Sequence, residues 1–240
     1  MKDNAHRDEV QQLVSYASGK IDKAIISLIL SSGMQPKIVR ELTLKHLLDG
    51  CSHYFSNEEI TIDKLVNKNP IKDNFIACFD IGTEESPRVT CCSPEALSLM
   101  LDYIDRNRIP FESESEKIFL NLENKPLHGN YISDFMGKLN DNVVSGHRTH
   151  EFTRVTATKL VKSFKYVCKT YFDFDYKQNV IRLLEGSNAK SNKDFYNAVR
   201  EDRYILIGPY LTIVDCLYLM PDRYTIEKFS KLNNDYDDIY

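Results

Sequence analysis

The chain has 240 residues, a formal net charge of −4, 42% hydrophobic residues and 28% charged residues, which is ordinary globular composition with material for one sizeable core. No run reaches the roughly 18 apolar residues of a membrane span, and the first nine residues are too polar for a secretory signal. Six cysteines form no C-x-x-C pair and no metal-ligand spacing with histidine, so reduced, mostly buried thiols and a cytoplasmic location without membrane contact are expected, and a structural zinc site is not.

The elements predicted in chain order are mostly helices. Ile21, Ala24, Ile25, Leu28 and Ile29 follow the helical repeat, and Gly33 supplies a stop. Pro36 opens a second helix toward Leu42, followed by a turn carrying Leu44, Leu47 and Leu48. Residues 75–81 and 88–92 then read as two strands of a hairpin joined across residues 82–87. Ser93-Pro94-Glu95 is a clean helix start, with serine as cap and proline in the first turn; Ala96, Leu97, Met100, Leu101 and Ile104 give its apolar face. A helix from about Asn130 buries Ile132, Phe135, Met136 and Leu139. Thr149 is placed to cap a long helix with Phe152, Leu160, Phe164 and Val167 inward. A shorter helix ends at Leu184-Glu185-Gly186, Ser191 caps one holding Phe195 and Tyr196, and a last helix covers residues 204–219, disturbed at Gly208-Pro209. The expected fold class is mainly α with one small antiparallel hairpin. One domain over residues 6–219 is the economical division, with tails at 1–5 and 220–240, the latter partly mobile.

Charge is unevenly spread. Between Ser145 and Tyr204 there are twelve Lys and Arg against seven acids, a local excess in a chain whose overall pI is near 5.9. Binding phosphate backbone takes such cations, so Arg148, Lys159, Lys162, Lys190 and Lys193 are candidate DNA contacts. A solvated helix face is the plainer reading of the same pattern.

Four segments, in order, resemble the catalytic domain of tyrosine recombinases (phage integrases), archaeal integrases above all. They are Ser32-Gly33-Met34-Gln35 before a helix; the hairpin leading into Ser93-Pro94-Glu95-Ala96; Thr149-His150-Glu151-Phe152-Thr153-Arg154; and Leu183-Leu184-Glu185-Gly186 with Tyr196 downstream. The resemblance spans about residues 6 to 219. It implies a tyrosine that attacks a DNA phosphodiester to give a 3′-phosphotyrosine, without metal or nucleotide cofactor. Two arginines would hold the non-bridging oxygens, a hairpin lysine would protonate the leaving oxygen, and histidines would assist.

Carried over residue by residue, the resemblance puts the nucleophile at Tyr196, with Arg154 and His150 as the surviving partners. Four positions depart from the family pattern. Gln35 stands where the first arginine is expected. The hairpin position near Thr83 has no lysine, Lys64, Lys68 and Lys72 lying upstream. Ser187 replaces a histidine after Gly186. The family places arginine three residues after its histidine, where this chain has Thr153; Arg154 would share a helical face with His150 one position later. The family's N-terminal helical clamp has no counterpart in a resemblance that begins near residue 6, which implies weak autonomous DNA binding.

Losing one transition-state donor typically costs about a hundred- to a thousandfold in rate, so a weakened or inactive site is the expectation. The expected role is an integrase-type domain in site-specific DNA recombination or integration, with double-stranded DNA as partner and pairing with itself or another recombinase subunit. Two alternatives stand beside it: a non-catalytic DNA- or protein-binding module derived from an integrase, and an unrelated helical interaction protein.

Overall fold

A computed structural model describes residues 5, 7–55, 59–82, 86, 88–146, 152–185 and 193–219. Its hairpin sorts the side chains of the molecule into two cores. Strands β1 (Ala77–Asp80) and β2 (Val89–Cys92) pair antiparallel, with Ala77 opposite Cys92, Cys78 opposite Cys91, Phe79 opposite Thr90 and Asp80 opposite Val89. Successive strand side chains point to opposite faces. Ala77, Phe79 and Cys92 therefore join a larger cluster, and Cys78, Val89 and Cys91 a smaller one.

The larger cluster is built by α1 (Arg7–Ser15), α2 (Lys20–Ser32), α3 (Pro36–Glu41), α4 (Leu44–Cys51), α5 (Ile62–Val66), α6 (Pro94–Asn107), α7 (Tyr131–Gly146) and the first turns of α8 (Ala157–Tyr171). The smaller takes the rest of α8 with α9 (Lys177–Glu185), α10 (Lys193–Glu201), α11 (Tyr204–Leu211) and a 3-10 turn, Val214–Leu217. Every residue from Ala24 to Ser32 is buried, so α2 is enclosed on all sides, as an almost unbroken apolar run requires. It packs against both α6 and α8.

Local chemistry explains most boundaries. Gly33 ends α2 at φ 63°, and its N–H returns to the Ile29 carbonyl. A Cβ at Gly33 would sit 2.2 Å from Cδ1 of Phe164, so both conformation and space select glycine. Ser93 caps α6 by accepting from the Ala96 N–H at 3.1 Å, with Pro94 in the first turn. Thr43 caps α4 and shares a capping box with His46.

Three expectations change. The stretch carrying Leu44, Leu47 and Leu48 is a full helix rather than a turn. The long helix opens at Ala157, capped by Thr156, and not at Thr149. Asn140 on α7 explains the delay: its side-chain amide donates to the Val155 carbonyl and accepts from the Val155 N–H, both at 2.8 Å. That pair mimics a strand contact and holds Val155 extended, while β-branched Thr153, Val155 and Thr156 resist helix. The last helix stops at Leu211, two residues beyond Pro209, whose missing N–H and ring weaken the turn. The α1 and α5 helices carry no strong sequence signal. Apart from Ala5, the expected tails at 1–5 and 220–240 lie outside the described residues, as does Ser191. No helix among the described residues is long and apolar enough to cross a membrane.

Candidate functional site

Three of the four segments singled out in the sequence meet at the end of α2. Thr90 on β2 donates its hydroxyl to the Ser32 carbonyl at 2.6 Å, and Tyr210 on α11 donates to the Ser31 carbonyl at 2.7 Å. Arg88, just before β2, ties the junction together. Its Nη2 donates to the Gly33 carbonyl at 2.9 Å and its Nε to the Leu184 carbonyl, at the end of α9, at 3.2 Å. Burial pushes the Arg88 pKa down, offset in part by Glu185. These bonds all end on backbone carbonyls, so they fix positions and leave side-chain chemistry to other residues.

Tyr196 lies on α10 and is only 3% exposed. Its hydroxyl donates to the Asp80 carboxylate, 2.9 Å from Oδ1 and 3.1 Å from Oδ2. Asp80 closes β1 on the hairpin face shared with Cys78, so the strand aims its carboxylate at α10. The same carboxylate receives Arg200 Nε at 3.2 Å, one helical turn after Tyr196, and that guanidinium lies 5.5 Å from the Tyr196 ring centre. Desolvation, then the hydrogen bond and the charge of Asp80, push the Tyr196 pKa up to about 12, against the opposing pull of Arg200 and Arg203. The phenol is thus held protonated over the whole physiological range.

Gln35 is the exposed N-cap of α3, with no side-chain capping bond. Arg154 sits in the extended segment before α8, not on a helix, and pairs with Asp141 at 2.5 Å with both side chains 63% exposed. The helical face that was to align it with His150 is therefore absent at Arg154. Lys159 donates its Nζ to the Arg154 carbonyl at 2.7 Å. Lys162 is exposed on α8, and Lys193 is exposed at the start of α10. Thr83, Arg148, His150, Ser187 and Lys190 lie outside the described residues.

No family model matches the sequence, and neither does any curated protein. Solved structures do match in shape. The XerA recombinase superimposes with a TM-score of 0.51 at 13% identity over 84% of this chain and 62% of that one. The Tn1549 transposon integrase in complex with circular intermediate DNA gives 0.53 at 13% identity over 86% and 67%. A variant of the same integrase in complex with transposon right end DNA gives 0.52 at 15% over 86% and 66%. The fold is that of the tyrosine recombinases. The chain spans about two thirds of the length of these recombinase and integrase chains.

Within this recombinase fold, several residues that build the site carry little signal in the sequence. Asp80 had no motif to mark it, since its partner is 116 positions away. Arg200 and Arg203 counted only toward local charge, although the four-residue step from Tyr196 to Arg200 on a helix is a legible signal for a shared face. Arg88 carries no signal in the sequence beyond its place at the start of a strand.

Proposed function

We propose that the protein is an integrase-type domain that binds double-stranded DNA in a recombination or integration setting and does not cleave it. The observation that carries the non-cleaving half is the contact between Tyr196, Asp80 and Arg200. A phenol attacking a phosphodiester must lose its proton and approach a phosphorus flanked by negative oxygens. A carboxylate is a competent acceptor for that proton. Yet Asp80 also places an acidic group where the phosphate must come, and it occupies the Arg200 guanidinium. A guanidinium that would stabilise the transition state is thereby turned to holding the ground state. Gln35 brings no charge in place of an arginine, so the deficit is not made up there.

The DNA-binding half is supported by the fold likeness and by the excess of cations between Ser145 and Tyr204. Lys159, Lys162 and Lys193 are the side chains assigned to backbone contacts, with Arg148 and Lys190 as further candidates. Contacts of this kind position a duplex without reading its sequence. A partner recombinase subunit would supply cleavage if the assembly needs it.

A nicked duplex tests both halves. The expected result is retention at low salt that falls steeply as salt rises, with no covalent adduct on a denaturing gel. An adduct that disappears in Tyr196→Phe would overturn the non-cleaving reading. Absence of retention even at low salt would overturn the DNA reading and leave a protein-binding role.

A further inference from the structure

Cys78 and Cys91 stand directly opposite each other in the hairpin, and both are free thiols. The Ile81 N–H donates to the Arg88 carbonyl at 3.0 Å in the same register. Hydrogen-bonded and non-hydrogen-bonded pairs alternate along an antiparallel ladder, so Cys78 and Cys91 form a non-hydrogen-bonded pair. In such a pair the Cα atoms lie about 4.5 Å apart and the side chains are at their closest. That separation falls within the range that disulfides span. Both side chains enter the smaller core, and the Cys91 thiol donates to the Cys78 sulfur.

The other cysteines are placed differently. Cys51 and Cys92 belong to the larger core, and Cys92 points away from Cys91 because neighbours in a strand face opposite sides. Cys168 shares the smaller core but comes from α8, and Cys216 is exposed. Neither Cys78 nor Cys91 reaches solvent, and burial pushes the Cys91 thiol well above its ordinary range. A buried thiol that keeps its proton is inert. The cover over the pair is α9 and α11, which pack on β2, together with α10, whose Tyr196 and Arg200 hold Asp80. Asp80 lies two residues beyond Cys78 on the same face of β1. Parting Tyr196 from Asp80 therefore loosens the cover next to the thiols.

We propose that Cys78 and Cys91 are a reversible cross-strand disulfide site, reached when α10 lifts from Asp80, with a low-molecular-weight disulfide as the oxidant. In the uncovered hairpin one cysteine loses its proton and attacks a sulfur of the small disulfide. The small thiolate that leaves takes up a proton. The second cysteine, also deprotonated, attacks the protein sulfur of the mixed disulfide and expels the second small thiolate, which is protonated in turn. The protein pair loses two electrons and two protons, and the small disulfide becomes two thiols. With β1 and β2 cross-linked, the strands cannot part, and Asp80 is held in place when α10 closes again. The site needs no nucleic acid, so it goes beyond the DNA-binding reading.

The test incubates the reduced full chain with oxidised glutathione and follows the intramolecular disulfide by mass spectrometry of peptides digested without reduction. The expected product links Cys78 to Cys91. It forms in Cys92→Ala and is absent from Cys78→Ala and from Cys91→Ala. Asp80→Asn weakens the contact that closes the cover, so the linkage should form about tenfold faster in that variant while circular dichroism shows it folded. The oxidised chain should unfold at a higher urea concentration than the reduced chain, and excess reduced glutathione should restore the lower midpoint. The proposal is overturned if no Cys78–Cys91 linkage forms in the folded chain, if Cys78 pairs elsewhere, or if Asp80→Asn leaves the rate unchanged. No outcome here involves DNA, so loss of the DNA-binding reading would leave this site standing, and failure of this site would leave that reading intact.

Discussion

The junction at the end of α2 and the cluster around Tyr196 lie on the same hairpin and are built on different principles. At the junction, Thr90, Tyr210 and Arg88 all donate to backbone carbonyls, of Ser32, Ser31, Gly33 and Leu184. At the cluster, Tyr196, Asp80 and Arg200 bond side chain to side chain. Bonds to backbone carbonyls specify where the chain runs whatever chemistry the neighbouring side chains perform. Bonds between side chains specify what the site can do. A recombinase fold thus persists here on the first kind of contact, while the second has been arranged to restrain a phenol.

The comparison predicts larger stability losses at the junction than at the cluster. Gly33→Ala should be the most damaging, because it combines a left-handed backbone position with a Cβ 2.2 Å from Phe164. A loss of about 3 kcal/mol is expected from strain and overpacking together, read as a lower midpoint in urea unfolding. Arg88→Ala should cost about 2 kcal/mol, since it removes two charge-assisted bonds and leaves two carbonyls short of a donor. Equal losses at Arg88 and at an exposed arginine such as Arg154 would remove the distinction. Arg154 is paired only with Asp141 in solvent, a contact worth little. Tyr196→Phe should cost about 1 kcal/mol, the net worth of one hydroxyl bond, and should leave DNA retention unchanged.

Much of this architecture was legible in the sequence. The α2 repeat with its Gly33 stop, the hairpin, and the Ser93-Pro94 start of α6 each carry a local physical signal, and each is observed. The start of α8 was not legible, because it depends on Asn140 reaching across to Val155. No local pattern encodes such a contact. The candidate site divides in the same way. Tyr196 could be picked out by its distance from Gly186, whereas the acid that restrains it comes from the other side of the chain. Arg200 stood within reach of inference, one turn beyond Tyr196, but its role depends on where β1 ends.

Phenol titration also sets the direction of a pH effect. The folded-state pKa of Tyr196 lies above its ordinary value of about 10, so the stability tied to its protonated form is complete below pH 10. It is lost as pH rises from 10 through about 12.

The most direct measurement is the titration of the Tyr196 ring itself, by NMR of 13Cζ-tyrosine with Tyr196→Phe as the assignment control. A midpoint near 12 that falls toward 10 in Asp80→Asn is the predicted result. A midpoint at or below 10 in the unaltered chain, indifferent to Asp80→Asn, would contradict the restraint on which the account depends.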